Sequence, residues 1–174
     1  VEGGVVIGPD LEWADRVEVL LGHKGEMWRW GNTVVLREEL GLDVFYYILH
    51  RDGDPFVNMM NIEIDGGGLY GHVFTKPEER RNGAASGLMR PMMEHYRSRG
   101  GQALYLGTGF DSHPYHMYAK EGFIGLEDKS GQMAYYPDSE TAFYDRYFAE
   151  GPMEISRLDW RHWTPSIPLF AGDF

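Results

Sequence analysis

Cysteine is absent from the 174 residues. That excludes disulfides, thiolate metal sites and a cysteine nucleophile, and it fits a reducing compartment, so a cytoplasmic location is the expectation. Long apolar runs are also missing. The longest, Val44 to Leu49, is far below the ~20 residues that a bilayer crossing needs, and no stretch reads as a signal peptide. Positive charge is scarce: 16 Lys and Arg against 27 Asp and Glu leave a net charge of −11 with His neutral. Such a surface repels phosphodiester backbones and anionic membranes, so neither nucleic acid nor membrane is expected as a partner, whereas a cationic substrate such as an amine is favoured. The common nucleotide signatures are lacking as well, since neither G-x-x-x-x-G-K-[ST] nor G-x-G-x-x-G occurs.

What is present is enough apolar and aromatic material for one sizeable core. The chain begins at Val1 and not Met, which fits a processed or excised piece of something longer. Val5 to Ile7 is β-like. Pro9-Asp10 then starts a helix whose Trp13, Val17, Leu20 and Leu21 recur at helical spacing up to Gly22. A second helix is expected over roughly Asn32 to Leu40. Val44 to His50, Phe56 to Ile64 and Leu69 to Thr75 read as three strands, joined by turns at Arg51 to Pro55 and Asp65 to Gly68, and make an antiparallel meander. The period then changes to about 3.6, with Ala85, Leu88, Met92 and Tyr96 on one stripe that closes at Gly100-Gly101. Pro91 inside this helix is expected to remove a hydrogen bond and kink it. A short strand at Ala103 to Gly107, a helix at His113 to Glu121 and a strand pair turning at Ser130-Gly131 complete an α+β order. We divide the chain into a domain over 1–136 and an aromatic C-terminal extension over 137–174. The extension has little regular period and either wraps the domain or docks onto a neighbour, a second copy or a tandem domain.

The segment from Lys76 to Leu88 joins the third strand to the long helix. A turn followed by a helix start aims unpaired backbone N–H groups at one point, and the helix dipole adds positive potential, so this is an anion site in form. Gly83 and Ala85 are small enough to let a phosphate approach the backbone, and Lys76, Arg80 and Arg81 concentrate positive charge in an acidic chain. By itself, a helix beginning with solvated charges is the more economical reading.

Two motifs raise it. Arg80, Gly83 and Ala85, with Pro77 upstream, match the [RQ]-x-x-G-x-[GA] element of the GNAT superfamily of acyltransferases, and Tyr118-Ala119-Lys120-Glu121-Gly122-Phe123 resembles its Y-x-K-x-G-F. The resemblance covers roughly Val44 to Tyr136. It implies a GNAT-like fold, with a mixed, mainly antiparallel sheet flanked by helices. It also implies an acyl-CoA co-substrate, acetyl-CoA by default, whose pantetheine pairs with Val73, Phe74 and Thr75. The pyrophosphate is then expected over Arg80, Arg81, Asn82, Gly83, Ala84, Ala85 and Ser86. The family's usual Asn and Ala before the motif Tyr are replaced here by Asp111 and Pro114; Asp111 is expected to accept from a pantetheine N–H but cannot donate.

The implied reaction is N-acylation of a small-molecule or peptide amine; the rival is a non-catalytic acyl-CoA-binding or structural domain, one half of a tandem protein. Transfer needs a deprotonated amine, an oxyanion donor and a proton for the leaving thiolate. Tyr118 stands where the family commonly keeps its general acid. Alternation along Leu69 to Thr75 puts Tyr70, His72 and Phe74 on one face, where family members often carry a Glu. None is present, so His72 is the expected base, with Glu63 and Asp65 behind it. His113-x-x-His116 with Asp111 has the form of a metal site, but a hydrolytic site also needs a base at defined spacing and no second cluster appears, so no metal is expected.

Overall fold

A computed structural model describes residues 1–171; positions 172–174, the end of the expected extension, lie outside the described residues. In chain order the elements are β1 (Glu2–Ile7), α1 (Leu11–Leu20), α2 (Glu26–Arg37), β2 (Asp43–Arg51), β3 (Asp54–Ile64), β4 (Gly67–Thr75), α3 (Ala84–Ser98), β5 (Ala103–Gly107), α4 (His113–Lys120), β6 (Ile124–Gly125), β7 (Gln132–Tyr135), α5 (Glu140–Tyr147) and α6 (Trp163–Ala171). The seven strands form one sheet in the order β1-β2-β3-β4-β5-β7-β6. Every pairing is antiparallel except that of β4 with β5.

The meander is built by local chemistry. Asp52-Gly53 and Asp65-Gly66 are both two-residue loops with positive φ throughout (48° and 81°, 50° and 78°). This is the primed turn that suits right-twisted hairpins and that Asp-Gly favours. Asp10 caps α1 by accepting from the Trp13 N–H at 3.0 Å, as the sequence suggested.

Two apolar layers cover the sheet. On one face α3 and α4 lay Leu88, Met89, Met92, Tyr96 and Tyr118 over Phe45, Tyr47, Met59 and Tyr70. On the other, α1 and α2 bury Ala14, Val17, Val34 and Leu36 against Tyr46, Met60 and Ile62. Among the described residues no helix is long and apolar enough to cross a membrane.

Three local expectations need correction. The second helix runs Glu26–Arg37 and not Asn32 to Leu40. Its first half carries exposed Met27, Trp28 and Trp30, so no buried stripe signals it in the sequence. The region after Pro137 is also more regular than its text suggests, since α5 and α6 are helices there. Ser139 caps α5 by accepting from the Ala142 N–H at 3.1 Å, while Pro165 and Pro168 mask the period of α6. Both pack on the α1/α2 face, where Phe143 and Ile167 meet Tyr105 and Trp160 and Trp163 meet the α1/α2 layer. Finally, α3 continues through Pro91, which faces solvent.

Candidate active site

The sheet opens at one place. β4 pairs with β5 only through Gly67, Gly68 and Leu69, opposite Ala103, Leu104 and Tyr105. From Tyr70 to Thr75 the same edge of β4 has no strand beside it among the described residues, so its backbone groups are available to a ligand that pairs like an added strand. A groove of about 560 Å³ occupies this fork. Val73, Phe74 and Thr75 form one wall, and His113, Pro114, Met117 and Tyr118 of α4 the other. At its end stand Glu79, Arg80, Arg81 and Gly83 to Ser86.

That end is the start of α3. Gly83 is its N-cap, with φ 73° and no side chain to offer a cap hydrogen bond. The first main-chain bond from inside the helix runs from the Gly87 N–H to the Gly83 carbonyl. The N–H groups of Ala84, Ala85 and Ser86 therefore precede the helical ladder, with the positive end of the dipole behind them. A Cβ built on Gly83 would meet nothing within 4 Å, so the space in front of the turn is open. Arg80 donates through Nε to the Thr75 carbonyl at 3.0 Å and lies over the Phe74 ring. It ties the strand end to the helix start without spending its charge on a carboxylate. Lys76 is held by Asp54 at 2.8 Å, and Glu79 by Arg51 at 2.6 Å, which also holds the Glu79 carboxyl below the usual range. The donor set thus suits a phosphate-bearing group with an amide-containing tail.

Tyr118 is buried, with its ring edge-on to Tyr70 at 5.6 Å. Burial pushes its phenol up to about 12, so it keeps its proton across the neutral range.

His72 is differently placed from expectation. β4 carries a bulge: Met60 pairs with Gly71 but Asn58 with Phe74, and His72 sits at φ 52°. The extra residue reverses the alternation. Tyr70 and Val73 therefore pack on the α3/α4 layer, while His72 and Phe74 face the α1–α2 connection. There His23 stacks on Phe74 at 4.4 Å, Trp28 lies 6.3 Å from His72, and Lys24 Nζ is 3.1 Å from His72 Nδ1. Asn58 pins the bulge by donating through Nδ2 to the His72 carbonyl at 2.7 Å. Burial, reinforced by the Lys24 charge, lowers His72 to about 3 and keeps it neutral; burial also lowers Lys24.

Other expected residues lie outside the groove. Asp111 is exposed, sits at φ 57° and engages His116 Nε2 at 2.9 Å. It is not part of the lining, and Asn82 is exposed just ahead of α3. Glu63, the reserve base, is also absent from the groove lining. It is buried, pairs with Gly68 where β4 and β5 are still joined, and meets Arg99 at 2.6 Å; burial raises its carboxyl to about 7 against the pull of that guanidinium. Among the described residues no group of three His, Asp or Glu side chains is placed to hold a metal ion. Lys24 and Asn58 carry no sequence signal as site residues, and His113, considered above as a metal ligand, instead lines the groove. Only His113 had a local signal, its place in the first turn of the helix that ends in the Tyr118 motif.

The profile of the acetyltransferase (GNAT) family matches residues 13–123. The chain belongs to that family. Solved structures share the fold of this GNAT chain at low identity. The PaiA N-acetyltransferase from Thermoplasma acidophilum, in complex with coenzyme A, is 14% identical with a TM-score of 0.57, over 76% of this chain and 99% of that one. The aminoglycoside 6′-N-acetyltransferase from Enterococcus faecium is 14% identical with a TM-score of 0.58, over 78% and 97%. Among curated protein sequences none matches the chain. The GNAT profile stops at Phe123, so β6, β7, α5 and α6 lie beyond the matched residues.

Proposed function

We propose that this GNAT chain is an acyl-CoA-dependent N-acyltransferase, acetyl being the default acyl group, that acylates an amine directly. One observation carries the reading: the unpaired edge of β4 from Tyr70 to Thr75 leads straight to an uncapped helix start flanked by Arg80 and Arg81. The pantetheine amides pair with Val73 to Thr75 and the pyrophosphate is held by the amides of Ala84 to Ser86 with the two arginines. Asp111 and Asn82 take no part in this reading.

In the reaction the acyl carbon–sulfur bond breaks and a carbon–nitrogen bond forms; the amine loses a proton and the thiolate gains one. A backbone N–H near Val73 supports the developing oxyanion, and Tyr118 donates toward sulfur. His72 is the proton acceptor through its contact with Lys24. An ammonium on Nδ1 leaves the ring proton on Nε2, whereas a neutral Lys24 amine accepts from Nδ1–H and frees the Nε2 lone pair. Burial lowers Lys24, bringing the second arrangement nearer to neutral pH. A proton taken at Nε2 then displaces the Nδ1 proton onto Lys24, and no imidazolium need persist.

The division into 1–136 and 137–174 enters the same proposal: the domain carries the acyl-CoA groove, and the extension, through α5 and α6, closes the sheet face on the acceptor side. A thermal-shift titration with acetyl-CoA, longer acyl-CoAs and free CoA, followed by steady-state thiol release with a panel of amines, tests the reading. Saturable stabilisation with turnover is expected. Stabilisation without turnover for any amine would leave a binding module, and no stabilisation would remove the groove's assignment.

A further inference from the structure

A second cavity, of about 480 Å³, begins where β4 and β5 part, at Tyr105 and Leu106. It lies on the α1/α2 side of the sheet, under α6. Trp163, Ile167 and Phe170 of α6 form its roof, and Leu126 and Glu127 come from the chain leaving β6. Apolar side chains make up most of the lining, beside the polar Gln132 and Ser166, and among the described residues Glu127 is the one charged side chain there. Phe170 remains 85% exposed beside it, a large apolar surface left open at the rim. The α6 residues stand beyond the part of the chain that the family profile covers.

We infer that this cavity binds the acceptor, and that the acceptor is a primary amine carried on an apolar body, an arylalkyl or alkyl chain. The inference rests on the transferase reading above and names its substrate class. The aromatic and aliphatic side chains of Tyr105, Leu126, Trp163, Ile167 and Phe170 favour an apolar body. A single carboxylate in a chain of net charge −11 complements an ammonium and would repel an acidic acceptor. The position fixes the rest: the floor residue Tyr105 pairs in register with Leu69, the last joined residue of β4. A ligand seated on Tyr105 therefore meets the fork from the face opposite the α3/α4 layer, the face on which His72 and Lys24 also lie. The C-terminal extension is then a specificity element built around the acceptor and not only a cover for the sheet.

The test measures amine binding in the presence of CoA, by thermal shift and by Trp fluorescence, and then turnover, with phenethylamine, hexylamine and ethylamine. The two amines with apolar bodies are expected to bind, and to show KM values, about tenfold or more below ethylamine, because one or more buried methylene equivalents are worth that much in a matched pocket. Ser166→Trp, which fills the cavity, is expected to erase most of that difference, and Glu127→Gln, which removes its charge, to weaken all three amines alike, while the stabilisation by CoA is retained in both. Equal affinity for the three amines, or discrimination that survives Ser166→Trp, would overturn the assignment. Binding is read without turnover, so the two ideas fail separately. Discrimination in a protein that releases no thiol supports the pocket and sinks the transferase reading. Turnover without discrimination does the reverse.

Discussion

Lys24 Nζ lies 3.1 Å from Nδ1 of His72, although 47 residues, including the whole of β2 and β3, separate them in the chain. A cation and an imidazole held this close disfavour protonation of the ring, and both groups are partly withdrawn from water, so each is pushed toward its neutral form. This couples the state of His72 Nε2 to the proton on Lys24, and it gives the proposed base a pH signature.

Lys24→Arg tests that coupling. Arginine keeps the charge but does not deprotonate in the working range, so kcat is expected to fall about tenfold or more, with the acid limb of the pH–rate profile moved upward. Wild-type rate and profile in Lys24→Arg would show that only a fixed charge is needed there.

Stability should report the same site. The folded pKa of His72, about 3, lies below its unfolded value of about 6.5. The unfolded chain therefore binds more protons between those values, and the stabilisation present above about pH 6.5 is lost as pH falls toward 3. The slope contributed is at most about 1.4 kcal/mol per pH unit. His72→Asn, which tolerates the positive φ, is expected to flatten the decline of Tm between pH 6.5 and 4; an unchanged decline would place the acid sensitivity elsewhere.

Gly83 separates the anion site from its backbone strain. Gly83→Ala places a methyl in open space at an unfavourable φ and should cost about 1 kcal/mol of stability while retaining the CoA-dependent thermal shift. Gly83→Glu adds a carboxylate where phosphate is proposed to sit and should abolish that shift. A normal shift in the second variant would mean that the start of α3 does not hold the pyrophosphate.

Tyr118→Phe removes one hydroxyl from the groove wall and leaves the ring packing against Tyr70 and Phe123. Acyl-CoA binding should persist and kcat should drop by roughly a hundredfold. Equal kcat in the variant would reduce Tyr118 to a packing residue.

Asp111→Ala is the contrasting case. Its carboxylate engages His116 outside the groove, so CoA affinity should change by less than about twofold, consistent with exposed pairs contributing little. A tenfold loss would bring Asp111 back into the binding surface.

By itself the sequence determined whatever depends on neighbours along the chain. The two Asp-Gly hairpin loops, the Asp10 cap, the stripe of Leu88, Met92 and Tyr96, and the Gly83 helix start with its arginines each follow from side-chain chemistry within a turn or two, and the two motifs tied them to one family. Tertiary structure alone decided which face His72 occupies. Alternation has a period of two, so one bulged residue exchanges the faces, and the bulge is fixed by Asn58 reaching across from β3. Contact between Lys24 and His72, the burial of Glu63 under Arg99 and the seating of α6 over Tyr105 likewise depend on strand pairing and helix docking between distant segments. No local period encodes such contacts, because the free energy that selects them comes from apolar surface buried only once the sheet has assembled.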